Sequence, residues 1–318
     1  RMGDDVVMDD EGRVGEAKPA MDADTPDHTL TEADKKLGQM NQPLSDTKIL
    51  YKAEIADMMQ KLEGILPHAG LVGKEPLRDV WIIRFLVASH WKVDEAADRF
   101  REMVAFRDRY SMDAVRAKFE DGSMKKEDIP GYQAHFSTCP DTFNLTSGDA
   151  LDGSPIAVSR VTKWDFDRYY ELDHDAEDKF QYYHMEYLMW RLDKLSVETG
   201  KLRGNVKIID VDGATLAQRT VMKSNAAKRR ERYERLGANL ERCYPEMVSK
   251  IAVVNAPSYI AILWWVASAF LSQRAIDKTA IVRQQGTKEA LLNLVAPEVL
   301  PEAYGGDFKG HWLMSPPQ

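Results

Sequence analysis

Hydrophobic and polar positions divide this chain into a helical first half and an alternating second half. From Thr47, apolar residues recur at helical spacing (Leu50, Ile55, Met58, Met59, Leu62, Ile65, Leu66), which predicts one amphipathic helix ending near Pro67–Gly70. Further helical patterns follow from Pro76, from Val93 to Arg107, and from Met112 to Asp121. A turn-rich connector is expected over 129–153, where Pro130, Gly131, Pro140, Gly148 and Gly153 fall. Strand-like runs then come at 155–161, 206–211, 250–255 and 279–282. Long helical patterns at 167–199, 214–242 and 259–271 separate them, and a shorter one at 289–295 follows. Strands alternating with long helices imply a mainly parallel sheet covered by helices. The expected class is therefore α/β, preceded by an all-helical subdomain.

The segment from Tyr259 to Leu271 is unusual. On a helical wheel Tyr259, Leu263, Val266 and Phe270 share one face, and Ile262 and Leu271 add to the apolar surface. Only Ala261 and Ser268 lie opposite, flanked by Trp264 and Trp265. Burying one large apolar side chain is worth roughly 1.5–3 kcal/mol, so a helix apolar nearly all round needs cover on both faces. Its thirteen residues fall short of the roughly 20 that span a bilayer. The cover must be protein core, a bound apolar ligand or a lipid surface.

Composition narrows the classes. The 318 residues are 44% hydrophobic and 30% charged, with mean hydropathy −0.45, as expected of a water-soluble chain. The net charge of −8 argues against nucleic acid as the main partner. Two cysteines, Cys139 and Cys243, make no disulfide framework and fit a reducing, cytoplasmic setting. The chain opens on Arg1-Met2 without a signal-peptide pattern. Residues 1–46 hold 12 acidic and 5 basic residues with few large apolar ones, which predicts a disordered acidic arm open to protein partners. No zinc-ligand spacing, nucleotide-binding glycine motif or nucleophile elbow occurs, so neither a metal, a cofactor nor an enzyme activity is expected.

Four short motifs resemble those of the CRAL-TRIO lipid-binding family. They are RFLVA at 84–88, YPE at 244–246, VVNAP at 253–257 followed by the apolar helix, and LPEAYGG at 300–306. Together they extend over most of the chain. The resemblance implies a helical subdomain at 47–128, a lipid-binding domain at 129–308 and a tail at 309–318. It implies a sheet-floored apolar pocket gated by the 259–271 helix, with lipid exchange at membranes as a peripheral contact. Phe180, Tyr183 and Tyr187 on the longest helix are further candidates for the pocket wall.

For the headgroup, the resemblance brings forward Glu246 and Lys278, with His90 a weaker candidate. Phosphoinositide-binding members carry a basic pair where this chain has Ser89 and His90. They carry Arg where it has Met247, and Thr where it has Ala275. A phosphoinositol headgroup needs several charge-assisted donors, so a phospholipid other than phosphatidylinositol, or a neutral lipid, is expected. Lys228, Arg229, Arg230 and Arg232 form a basic run, read either as a membrane-facing patch or as a solvated face paired with Glu231 and Glu234. An adaptor that keeps the fold and uses its surface in an assembly is the alternative class.

Overall fold

The computed structural model describes residues 40–140, 144–213, 226–257 and 273–310. Helices α1 (Leu44–Leu50) and α2 (Lys52–Lys61) replace the single helix expected over 47–66. The break falls at Tyr51, whose ring stacks on Trp91 at 3.5 Å. Packed structure also begins earlier than composition indicates. Met40 is buried, Asn41 N donates to Leu202 O at 2.9 Å, and Leu44 N donates to Gly200 O at 2.7 Å. Residues 40–46, which charge density assigns to the acidic arm, are thus tied to the folded unit.

Helix α3 (Leu77–Ala88) is buried on every side from Val80 to Val87. Trp81, Ile82, Phe85 and Leu86 face the main helical core, while Val80, Ile83 and Val87 meet Met40 and Leu202 on the other side. Helices α4 (Val93–Arg109) and α5 (Met112–Glu120) complete this layer.

The expected connector is partly ordered. It holds helix α6 (Tyr132–Thr138) and strand β1 (Asn144–Asp149). Gly131 starts α6 at φ +83°, and a Cβ there would sit 3.0 Å from Ala176 O, so glycine lets the turn approach the next long helix. Strand β1 was hidden because NLTSGD carries little β-branched character. It pairs antiparallel with β2 (Pro155–Arg160).

Helix α7 (Phe166–Tyr169) is short, and α8 (His174–Thr199) runs 26 residues. Asp173 caps α8 by accepting from Ala176 N at 2.9 Å, and Gly200 stops it at φ +63°. Its buried side chains belong to the same core as α2–α6, so the helical subdomain and the sheet-bearing part share one hydrophobic interior. Strand β3 (Asn205–Asp210) follows. Helix α9 (Ala226–Arg232), a π-helical turn (Tyr233–Gly237) and α10 (Ala238–Cys243) lead to β4 (Val248–Ala256). Helix α11 (Gln273–Asp277), β5 (Thr279–Arg283) and α12 (Thr287–Leu292) close the order.

The five strands lie in sequence order, parallel except for β1. Register fixes two faces, because side chains alternate along each strand. Ile156, Val158, Val206, Ile208, Ala252 and Val254 form the first face, sealed by Leu291, Val295 and Leu300. The second face carries Ala157, Lys207 and Ile251 in one row and Ser159, Ile209, Val253 and Ile281 in the next. The C-terminal segment closes the first face.

Candidate lipid site

The second face of the sheet is largely apolar. Val211, Val253 and Ala256 are buried on it, and Ile209, Ile251 and Ile281 remain partly accessible. Among the described residues, this cluster is made of side chains from the sheet strands and the residue just after β3. By contrast, the first face is closed by helix α12 and the 295–300 segment.

Polar knots fix the two ends of this floor. At one end, Glu246 adopts φ +58° in the turn before β4. Arg84, fully buried in α3, donates to Glu246 O at 2.7 Å and to Arg203 O at 3.1 Å. The Glu246 carboxylate accepts from Lys278 Nζ at 2.9 Å, and the same ammonium donates to Val248 O at 2.7 Å. Only 6% of the Lys278 side chain and 2% of the Glu246 side chain are exposed, so this ion pair is internal. At the other end, Asp210 accepts from Asn255 Nδ2 at 2.8 Å and from Tyr304 Oη at 2.6 Å. Asn255 sits at φ +57°, and its backbone N–H donates to Thr287 Oγ1 at 2.9 Å. VVNAP and LPEAYGG therefore converge on one carboxylate, immediately before the 259–271 segment.

A third network lies inside the helical core. Arg107 Nη1 donates to Glu186 Oε2 at 2.7 Å, and Tyr244 Oη donates to the same oxygen at 2.8 Å. Arg116 Nη1 lies 2.8 Å from Asp193 Oδ2, which also accepts from Trp81 Nε1 at 2.9 Å. Burial lowers the Arg84 pKa, with Asp193 and Glu246 offsetting part of the effect. Burial also pulls on Arg107, but Glu186, Tyr244 and Asp113 outweigh it and raise the pKa. Glu186 and Asp193 take arginine, tyrosine and tryptophan groups from several elements, which interlocks the helices.

The other sequence candidates fall in different places. Phe180 is buried in the helical core, stacked on His135 at 4.2 Å. Tyr187 packs edge-on against Phe119, and Tyr183 lies at the rim of the same core beneath Lys179. All three thus face the helical layer. His90 is exposed in a left-handed turn after α3, beside buried Ser89.

In the basic run, Arg230 is exposed and pairs with Glu234 at 3.4 Å. Lys228 is also exposed. Arg232 turns inward, pairing with Glu177 and lying 4.0 Å over the Tyr169 ring. Lys228 and Arg232 help line a cavity of about 190 Å³ with Tyr170, His174, Glu231 and Arg235. Its size and charge do not suit an acyl chain, since pockets for molecules of that size run to roughly 300–1,000 Å³ and are mostly apolar. The Arg229 side chain and the candidates Tyr259, Ile262, Leu263, Trp264, Trp265, Val266, Phe270 and Leu271 lie outside the described residues.

With this geometry in place, comparison with known proteins is decisive. The CRAL/TRIO domain model matches residues 144–306, which spans β1 to the end of LPEAYGG. The chain belongs to the CRAL/TRIO domain family. Patellin-6 of Arabidopsis thaliana is 22% identical over 270 residues, covering 83% of this chain and 61% of that protein. Protein real-time of Drosophila melanogaster is 22% identical over 279 residues, 86% of this chain and 38% of that one. Sec14 cytosolic factor of Schizosaccharomyces pombe is 24% identical over 238 residues, 73% and 76% of the two chains. The chain thus spans less than two thirds of the first two relatives. The crystal structure of Sfh5 shares the fold, with a TM-score of 0.52 at 14% identity over 89% of this chain and 90% of that one. CRAL/TRIO proteins bind and transfer lipids. Among the described residues no helix is long and apolar enough to cross a membrane.

Three features were beyond the sequence reading: Arg84 as a clamp on two carbonyls, the Asp210 knot, and Lys207 in the centre of the second face. Only the last left a signal. A central parallel strand reads as a continuous apolar run, and Lys207 interrupts Val206–Ile209.

Proposed function

We propose that this protein binds a lipid against the second face of its sheet and exchanges it with membranes through peripheral contact. The observation that carries the reading is the apolar row of Ile209, Val253 and Ile281, in which Ile209 and Ile281 stay partly accessible, between the Glu246–Lys278 and Asp210–Tyr304 knots. A sheet face of this kind suits an acyl chain, and the all-round apolar sequence of 259–271 suits a segment that exchanges protein cover for membrane cover.

Phosphatidylinositol is not the preferred ligand on this reading. Glu246 and Lys278 are the two headgroup positions that match the family, and they are committed to each other and to Val248 O. They act as a lock on the chain that follows the apolar segment. Met247 and Ser89 are buried, and neither supplies a charged donor. Native mass spectrometry of the gently purified protein tests the binding. A phospholipid adduct is expected, and a chain free of lipid would reject the reading. Competition between labelled phosphatidylinositol and phosphatidylcholine tests the selectivity. Saturable preference for phosphatidylinositol would overturn it.

A further inference from the structure

Lys228, Glu231, Arg232 and Arg235 recur at helical spacing, so α9 and the π-helical turn after it carry them on one face. This face meets Tyr170 and His174, at the turn from α7 into α8, around the cavity of about 190 Å³. Lys228, Glu231 and His174 are exposed, and Arg232 and Arg235 are half-buried, so the cavity opens to solvent and narrows onto two guanidinium groups.

Two carboxylates of α8 fix those guanidinium groups from behind. Arg232 pairs with buried Glu177 and lies 4.0 Å over the Tyr169 ring. Glu177 is itself held by His135 Nδ1 at 3.1 Å and Gln181 Nε2 at 2.7 Å. Arg235 Nη2 lies 2.9 Å from Asp178 Oδ1. An arginine fixed on one edge by a carboxylate can present another edge to a second anion. Lining the cavity are three cations, Lys228, Arg232 and Arg235, and one carboxylate, Glu231. Asp173, beside His174, is turned to the α8 backbone. Interlock of α8 with α9 accounts for Arg232 and Arg235. It gives no role to Lys228 or to the polar space between these groups.

We propose that this cavity binds a phosphomonoester group, carried by a lipid headgroup or by a small soluble molecule. Such a group holds a charge of about −1.5 to −2 at pH 7 and three acceptor oxygens, which suits several cations around one small space. Lys228 and Arg232 donate to the phosphate oxygens, and Arg235 adds its charge. Glu231 opposes the anion and limits its affinity. The site is built from the α7–α8 turn, α9 and the π-helical turn, not from the sheet, so it stands independently of the lipid-binding reading.

The test uses the full chain as wild type, Lys228→Gln and Glu231→Gln. Both side chains are exposed, so these changes leave the Glu177 and Asp178 pairs in place. Arg230→Gln is the control, an exposed charge of the same helix that pairs with Glu234 and does not line the cavity. Calorimetric titration with inorganic phosphate and with glycerol phosphate reads soluble binding. Sedimentation with phosphatidylcholine vesicles, with and without phosphatidic acid, reads the lipid form. Saturable binding by the wild type is expected. Lys228→Gln should weaken it about tenfold, the size of one charge-assisted contact. Glu231→Gln should strengthen it several-fold by removing a like charge, and Arg230→Gln should leave it within about twofold.

Binding of glycerol phosphate without added retention on phosphatidic acid identifies a soluble source. Added retention that Lys228→Gln removes identifies a lipid headgroup. No saturable binding of any probe overturns the site. Equal binding by all four proteins, or equal losses in Lys228→Gln and Arg230→Gln, also overturns it, because either result marks a diffuse surface effect. The cavity is then only the gap left by the α8–α9 interlock.

Discussion

Arg84 Nη1 lies 2.7 Å from the carbonyl oxygen of Glu246, a contact that joins residues 162 positions apart. It links the RFLVA helix to the YPE turn. On its other side, Glu246 takes Lys278. A single residue at positive φ thereby gathers the helical layer, the start of β4 and the chain that follows the apolar 259–271 segment.

Arg84→Leu removes a buried cation, takes its donors from the Glu246 and Arg203 carbonyls, and removes the guanidinium 3.7 Å from Asp193. Breaking a buried pair from one side costs about 3–5 kcal/mol. A loss of that size in urea unfolding is expected. A change below about 1 kcal/mol would show that the clamp is dispensable.

Lys278→Met takes the ammonium away from the internal Glu246 carboxylate, so a loss of about 3 kcal/mol or more is expected. Glu246→Gln combined with Lys278→Met removes both charges and should recover much of that loss. Double-mutant-cycle denaturation measures the difference. If the pair is a lock, Lys278→Met also speeds lipid release from the protein into vesicles. Altered headgroup selectivity with an unchanged release rate would instead return the pair to a headgroup role.

His184 gives the stability a pH dependence. It is buried against Phe136 and Phe180, and burial, aided by the charges of His135 and Lys126, pulls its pKa down to about 3. The unfolded chain binds this proton near pH 6.5 and the folded chain does not, so stability is full above pH 6.5 and falls as pH drops toward 3. The slope for one such group is about 1.4 kcal/mol per pH unit. Thermal unfolding between pH 7 and pH 5 should show it, and His184→Phe should flatten the curve. An unchanged slope in the variant would rule out His184 as its source.

A chain beginning at Thr47 loses Met40, Asn41 and Leu44. Asn41 Oδ1 accepts from Arg203 Nη1 at 2.9 Å, and Asn41 Nδ2 donates to Asp152 at 3.1 Å. At about 1 kcal/mol for each lost hydrogen bond, plus the burial of Met40, a clear drop in melting temperature is expected. A chain beginning at Lys36 retains these contacts and serves as the comparison. Equal melting of the two would show that residues 40–46 contribute nothing.

Trp264→Asp introduces a charge into the apolar 259–271 sequence. If this segment meets the membrane during exchange, liposome association weakens and transfer between vesicles slows several-fold, since a charged side chain at membrane depth costs about 2.5–3.5 kcal/mol. Transfer at the wild-type rate would reject a membrane role for Trp264.

The sequence by itself determined the fold class, because hydrophobic periodicity is local. Strand and helix patterns from Pro155 to Leu292 match β2, β3, β4, β5 and α12 closely, whereas the single helix expected over 167–199 divides into α7 and α8. Motif order then identified the family. The sequence missed β1, whose polar residues become a strand through pairing with β2, and it missed the break at Tyr51, which follows the stack on Trp91.

Only the tertiary structure decided which polar groups meet. Arg84 and Glu246, or Asp210 and Tyr304, are far apart in sequence, and no local pattern encodes their encounter. It also decided that Glu246 and Lys278 are internal, because burial depends on what packs around a turn. Last, it placed Lys207 on the opposite side from the sealed core. That assignment follows from register: moving the strand by one residue would send the same lysine into the apolar interior.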